Sequence, residues 1–228
     1  MSVGPAARRQ ERVTSLIDVD NTLIDNDAAK VEIDRRLVEL LGVPGARVFW
    51  TAYEDVRADA GVVDIPRTIG LYLKGEIALS HRVALAELFM RFPFADFIYA
   101  GALETISWLR EHGPVVILSD GDPVFQPTKI NRSGLAAAVD GHVLVFPHKD
   151  EHLPEIAAAF PADRFLLIDD KPMVIERMRG RAAELNAPLE TILVRQGKYA
   201  AAVPPGPWPG ADHTVDAIHQ ISALFGKW

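Results

Sequence analysis

The sequence predicts an α/β fold, a mainly parallel sheet with helices on both faces, interrupted early by an inserted helical segment. Three observations carry that reading. Short apolar runs recur along the chain and end in acidic or hydroxyl residues, as at Leu16-Ile17-Asp18 and Leu167-Ile168-Asp169. Stretches of helical periodicity separate those runs, which is the rhythm of parallel strands joined by crossovers. About seventy residues after the first run carry helical patterning and no convincing strand, more than a crossover needs. The expected division is therefore 13–25 with 97–228 for the sheet domain and 26–96 for the helical insertion.

The first strand is expected over Val13–Ile17, a run of β-formers that stops at two carboxylates and a hydroxyl. A helix follows over Ala28–Leu41, with Ile33, Leu37, Leu40 and Leu41 on one face and Gly42 as its stop. Further helices are expected at Arg47–Ala60, Pro66–Leu73 and Leu79–Phe92, broken by Gly61, Gly75 and Pro93. Ala102–His112 reads as a helix with Leu103, Ile106 and Leu109 inward, and Pro114–Leu118 as a strand ending in Ser119-Asp120-Gly121-Asp122. A helix around Val124–Ser133, a strand over His142–Phe146 and a helix over Leu153–Phe160 come next. The fourth strand, Arg164–Ile168, ends in Asp169-Asp170-Lys171, and Pro172 suits the first position of the helix after it. Thr191–Val194 makes a fifth strand. Val203–Gly210 is an irregular Pro- and Gly-rich loop, and Asp216–Phe225 a last amphipathic helix with Ile218, Ile221, Leu224 and Phe225 inward.

Composition narrows the function classes. Hydrophobic residues make up 49% of the 228 and charged ones 24%, which suits a soluble chain able to bury a core. A net charge of −7 leaves no basic footprint for nucleic acid or an anionic membrane. With no cysteine, thiolate zinc sites, disulfides and cysteine nucleophiles are excluded, which fits a cytoplasmic protein. Met1–Arg12 is polar and has no apolar run behind it, so it reads as a tail rather than a signal peptide. No stretch approaches the roughly 20 apolar residues of a membrane span. Neither a dinucleotide-binding glycine pattern nor a P-loop follows a strand.

Chemistry gathers at the strand ends. Asp18 and Asp20, one residue apart, suit a split of labour between nucleophile or metal ligand and proton carrier. An Asx-rich turn would use the same residues. Ser119, Lys149 and the pair Asp169/Asp170 stand at later strand ends or nearby turns. Asp169-Asp170 could also cap the helix beginning at Pro172. His148 and His152 have the spacing of a metal pair, but no glutamate sits where a zinc protease would need it. Asp120 and Asp122 read as turn residues.

In this order, Asp18-x-Asp20-x-Thr22, an apolar strand ending in Ser119, then Lys149, then Asp169-Asp170, the chain resembles the haloacid dehalogenase-like (HAD) hydrolase superfamily. The resemblance spans the whole chain and implies a Rossmann-like core with a helical cap inserted after the first motif. It also implies that Asp18 attacks phosphorus to form an aspartyl-phosphate. Asp20 would then act as acid and base and offer its backbone carbonyl to a metal. Thr22 and Ser119 would bind phosphate oxygens, and Lys149 would balance charge. Asp169 and Asp170 would complete a metal site with Asp18 and Asp20. Gathered carboxylates are costly without a cation, and hard oxygen ligands favour Mg²⁺.

A carboxylate at position 20 points to a phosphatase of small phosphorylated metabolites rather than to carbon–halogen cleavage, because the dehalogenases lack it. Asp-Asp-Lys at the last motif departs from the commoner Gly-Asp with a later Asp, so the ligand set there stays open. A phosphotransferase or mutase of the same fold, or a non-catalytic binding module, fits the same motifs.

Overall fold

The computed structural model describes residues 11–74, 79–200 and 202–225. The polar stretch Met1–Gln10 and the break at Gly75 lie outside them. Six parallel strands form one sheet: β1 (Val13–Ile17), β2 (Val115–Asp120), β3 (Val143–Phe146), β4 (Arg164–Asp169), β5 (Leu189–Val194) and β6 (His213–Val215). Their order is β3-β2-β1-β4-β5-β6. All five residues of β1 are buried, because the strand is central and covered on both faces. Its side chains alternate between two layers. Val13 and Ile17 join Ile117, Ile168 and Ile192 on one face, while Leu16 joins Val116, Leu167 and Leu193 on the other.

The helices are α1 (Asn26–Ala60), α2 (Ile65–Tyr72), α3 (Leu79–Met90), α4 (Ala102–Arg110), α5 (Phe125–Arg132), α6 (Leu135–Ala138), α7 (Leu153–Ala159), α8 (Pro172–Leu185), α9 (Gly197–Ala200) and α10 (Ile221–Leu224). Strand β1 leads into α1, whose first turn is capped by the Asp25 carboxylate accepting from Ala28 N at 2.9 Å. Where two helices are expected, helical turns run on either side of Gly42, which breaks the path with φ 71° and ψ 167°. The limbs double back: Trp50 Nε1 of the second donates to Asp34 of the first at 2.6 Å. Phe49 stacks on Phe89 of α3 at 5.2 Å, and Phe89 meets Phe125 of α5 at 6.1 Å. That chain of rings ties the helical segment to the sheet's own helices. Among the described residues, no helix is long and apolar enough to cross a membrane.

Three expectations need correction. Leu103 is exposed, because the buried stripe of α4 runs through Ala102, Thr105, Ile106 and Leu109, and position 103 falls off it. The strand β6 was not foreseen; three residues pairing in parallel with Ile192–Val194 are too few to show alternation. The expected final helix is also shorter. The Gln220 side chain accepts from the backbone of Asp216 at 2.8 Å and Ala217 at 3.3 Å, holding both outside a 3₁₀ turn that opens at Ile218. Leu224 is consequently exposed, while Ile218 and Ile221 are buried.

Candidate active site

The strand order reverses between β1 and β4, and ligands of open α/β sheets bind in the crevice beyond the carboxyl ends at such a switch. Ile17 pairs with Ile168 in register, so the next residues of the two strands, Asp18 and Asp169, stand side by side. Asp18 N also donates to Ile168 O at 3.0 Å, which holds the first carboxylate at the edge of the sheet. Here Asp18, Asp169 and Asp170, all buried, can each bring one oxygen within 4.8 Å of the others.

Lys149, fully buried, enters this cluster from the turn after β3. Its Nζ meets Asp18 Oδ1 at 2.5 Å, Asp169 Oδ2 at 2.6 Å and Leu118 O at 3.2 Å. Burial alone would lower its pKa, but the charges of Asp169 and Asp18 hold it well above the ordinary lysine value. The backbone of Lys149 is fixed in turn, its N–H donating to Asp120 Oδ1 at 2.9 Å. Asp120, read from sequence as a turn residue, therefore also sets the position of the lysine. Asp122 does serve the turn, accepting from Val124 N at 2.9 Å and Phe125 N at 2.7 Å.

The remaining predicted residues surround the same point. Thr22 Oγ1 lies 3.5 Å from Asp18 Oδ2. Ser119 Oγ accepts from Gln126 Nε2 at 2.8 Å, and the same amide donates to Asp20 Oδ2 at 3.1 Å. The carboxylate of Asp20 points away from the buried trio and ion-pairs with Lys129, whose Nζ also donates to Asn26 Oδ1 at 2.8 Å. Burial would raise the Asp20 pKa, yet the charge and hydrogen bond of Lys129, helped by Lys171 and Gln126, hold it below the usual carboxylate range.

Gln126 and Lys129 were not foreseen. Their signal was present: on the eight-residue α5 they share the buried face with Phe125 and Ile130, and a lysine on a buried face needs an anionic partner. His148 and His152 are not brought together as a metal pair. His152 stacks on Phe146 with ring centres 4.1 Å apart, and the exposed His148 lies against Gly61.

The donor set fits a hard divalent cation. Both oxygens of Asp170 are buried without a hydrogen-bond partner among the described residues. Burial, reinforced by the charges of Asp169 and Asp18, pushes the Asp170 pKa up to about 9. The Asp18 carboxyl is raised by burial too, against the pull of Lys149. Lys171 adds a positive charge nearby, 3.9 Å from Asp120 Oδ2. Carboxylate oxygens left bare and crowded in this way are what a cation with oxygen preference satisfies. Asp169 meanwhile accepts from Lys171 N at 2.8 Å, so it shapes the turn before α8 as well.

A cavity of about 320 Å³ is lined at its polar end by Asp20, Asp120, Lys129 and Lys171, the neighbours of the buried cluster. Residues of α1 line one wall, among them Lys30, Trp50, Tyr53 and Arg57, and the start of α8, the turn after β3 and Tyr199 contribute the others.

No protein-family model and no curated protein match the chain. Solved structures do. A haloacid dehalogenase-like hydrolase from Burkholderia xenovorans LB400 is 32% identical, with 96% of this chain and 98% of that one covered and a TM-score of 0.83. The HAD-hydrolase YfnB from Bacillus subtilis, bound to magnesium, is 18% identical over 95% and 99% of the two chains, with a TM-score of 0.61. A 2-haloacid dehalogenase from Pseudomonas syringae pv. tomato DC3000 is 16% identical over 95% and 99%, with a TM-score of 0.67. The last two share the fold. The first, at its level of identity across nearly both whole chains, together with the ordered strand-end residues, establishes that this chain belongs to the haloacid dehalogenase-like hydrolases.

Proposed function

We propose that the protein is a Mg²⁺-dependent phosphatase that hydrolyses a small phosphorylated metabolite through an aspartyl-phosphate on Asp18. In this reading residues 26–96 act as a cap over a core of 13–25 and 97–228, and the enzyme works in the cytoplasm. The observation that carries it is the second carboxylate. Asp20 reaches the cavity two residues beyond a nucleophile candidate, with its own cation and amide partners. Displacement of an alcohol needs a proton carrier at that place, whereas a halide leaves without one.

The residues divide the work. Asp18 Oδ attacks phosphorus as the bond to the alcohol oxygen breaks, and Asp20 gives that oxygen its proton. A phosphate dianion arriving beside Asp20 raises its proton affinity, offsetting Lys129. In the second half, Asp20 takes a proton from water as the water attacks the aspartyl-phosphate. Ser119 and Thr22 hold phosphate oxygens by hydroxyl donation, and Lys149 keeps Asp18 ionised and oriented. When bound, Mg²⁺ supplies positive charge against the phosphoryl oxygens, held by Asp18, Asp169 and Asp170, with the Asp20 carbonyl as the fourth protein donor.

Phosphate release from a panel of phosphomonoesters with Mg²⁺ tests this, beside an Asp18→Asn variant and a 2-haloacid as non-phosphate control. The wild type should release phosphate, the variant should lose at least about 10³-fold, and no halide should appear. Equal phosphate release from the two proteins would end the reading.

A further inference from the structure

The cavity has a second charged end. Asn26, which accepts from Lys129 Nζ at 2.8 Å, and Lys30 stand one turn apart on α1. Lys30 therefore lies about 6 Å further along the helix from the Asp20 end. Its ammonium sits 4.5 Å from the ring centres of both Trp50 and Tyr53. The one carboxylate within 4 Å of it among the described residues is Glu54, at 3.8 Å, too long for a hydrogen bond.

Glu54 is also the partner of Arg57, at 3.2 Å, and Arg57 donates its other amine to the Tyr199 hydroxyl at 3.2 Å. Around Lys30 three cations, Lys30 itself, Arg57 and Lys198, thus face two carboxylates, Glu54 and Asp27, and a positive charge is left over beside the cavity that Lys30 and Arg57 line. The rings give that charge flat apolar walls, and Trp50 is held in place by its bond to Asp34. Burial, with the neighbouring charges of Lys198 and Arg57, keeps Lys30 below the ordinary lysine value although Glu54 opposes this. A partly buried cation in excess of its partners, walled by rings, is a site for an anion on a flat or apolar body.

Size restricts the body. A cavity of about 320 Å³ holds roughly ten waters at about 30 Å³ each. That is room inside the cleft for one ring or short chain with its phosphate.

Resting on the phosphatase reading above, the geometry points to a second anion subsite formed by Lys30 and Arg57 between Trp50, Tyr53 and Tyr199. The substrate is accordingly a small phosphomonoester whose alcohol half carries a second anionic group, a carboxylate or a further phosphate.

Matched pairs test it: phenyl phosphate against carboxyphenyl phosphate, and a sugar monophosphate against its bisphosphate. Each is measured for kcat/KM with the wild type and for binding to the Asp18→Asn protein by calorimetry. The doubly anionic member should be favoured by about tenfold or more, mainly through KM. Lys30→Gln should reduce that ratio about tenfold and Lys30→Arg should restore most of it. Arg181→Gln, on the exposed face of α8, should leave the ratio where it was. Whichever of the carboxylate and phosphate pairs shows the larger ratio identifies the second anion. Equal kcat/KM within both pairs, or an equal fall of both members in Lys30→Gln, would overturn the subsite while leaving the phosphatase reading intact. If the wild type turns over none of the esters, the phosphatase reading fails, and binding then decides the subsite. A doubly substituted member held no more tightly than its match without the second anionic group by the Asp18→Asn protein would overturn it.

Discussion

Lys149 places its ammonium against three oxygens of the protein and none of the solvent. Removing it leaves Asp18 and Asp169 buried with their charges uncompensated, and such truncations are strongly destabilising. Lys149→Met should therefore lower kcat by about 10²–10³. In Mg²⁺-free buffer it should also cost about 3–5 kcal/mol in urea unfolding. A variant as stable as the wild type would show that the contacts of Lys149 with Asp18 and Asp169 carry no net stability. Lys129 has a different task at the same scale. It meets Asp20 on the cavity side, where solvent still reaches the carboxylate, whose side chain is 24% exposed. In the proposed mechanism the two lysines keep the two carboxylates apart in role: one buried to act as nucleophile, the other open to exchange a proton.

At the scale of elements, the register of β1 against β4 places the cluster, and the loop after β1 sets the start of α1. Asn21 adopts φ 63° and its Oδ1 accepts from the first amides of α1, Asn26 N at 3.0 Å and Asp27 N at 3.2 Å. Gly197, at the start of α9, presses on that side chain; a Cβ there would sit 2.4 Å from Asn21 Cγ. Gly197→Ala should thus displace Asn21 and cost about 1–3 kcal/mol, read as a lowered Tm. An unchanged Tm would show that α9 gives way instead.

The same elements explain how much was legible in the sequence. Strands β1, β2 and β4 announce themselves as largely apolar runs closed by acid or hydroxyl groups, because burial on both faces admits no acidic side chain until the carboxyl end of the strand, although small hydroxyls such as Thr14 and Ser15 fit within β1. That rule exposed Asp18, Ser119 and Asp169. Gln126 and Lys129 escaped it. Their meaning depends on Asp20, more than a hundred residues earlier, and helical periodicity alone does not mark a buried polar side chain as a partner. The edge strand β6 and the curtailed end of the chain depend on local competition, a three-residue pairing and one Gln side chain.

For the whole molecule, the carboxylate cluster makes folding stability depend on pH in an unusual direction. Asp170 has a folded-state pKa of about 9 against 3.8 as its reference value. The folded protein therefore binds the proton more tightly than the unfolded chain does. Stability is greatest at acid pH with respect to this group, and falls as pH rises from near 4 towards 9. Bound Mg²⁺ favours the ionised form and reverses the loss. Thermal melts in EDTA should fall between pH 5 and pH 8 by several degrees relative to Asp170→Asn. Added Mg²⁺ should raise Tm more at pH 8 than at pH 5. A Mg²⁺ effect equal at both pH values would show that the cation does not compete with protons at this cluster.

The reversal of α1 at Gly42 has a consequence for how such a molecule could be altered. The limb that bears Lys30 and the limb that bears Trp50, Tyr53 and Arg57 opposite it belong to one unbroken length of chain folded upon itself. Their spacing is settled within thirty-five residues and travels with them as a unit. Tyr199 alone reaches the subsite from α9, through its bond to Arg57, so the distance between Lys30 and its aromatic walls on α1 and the placement of Tyr199 are traits set by separate parts of the chain.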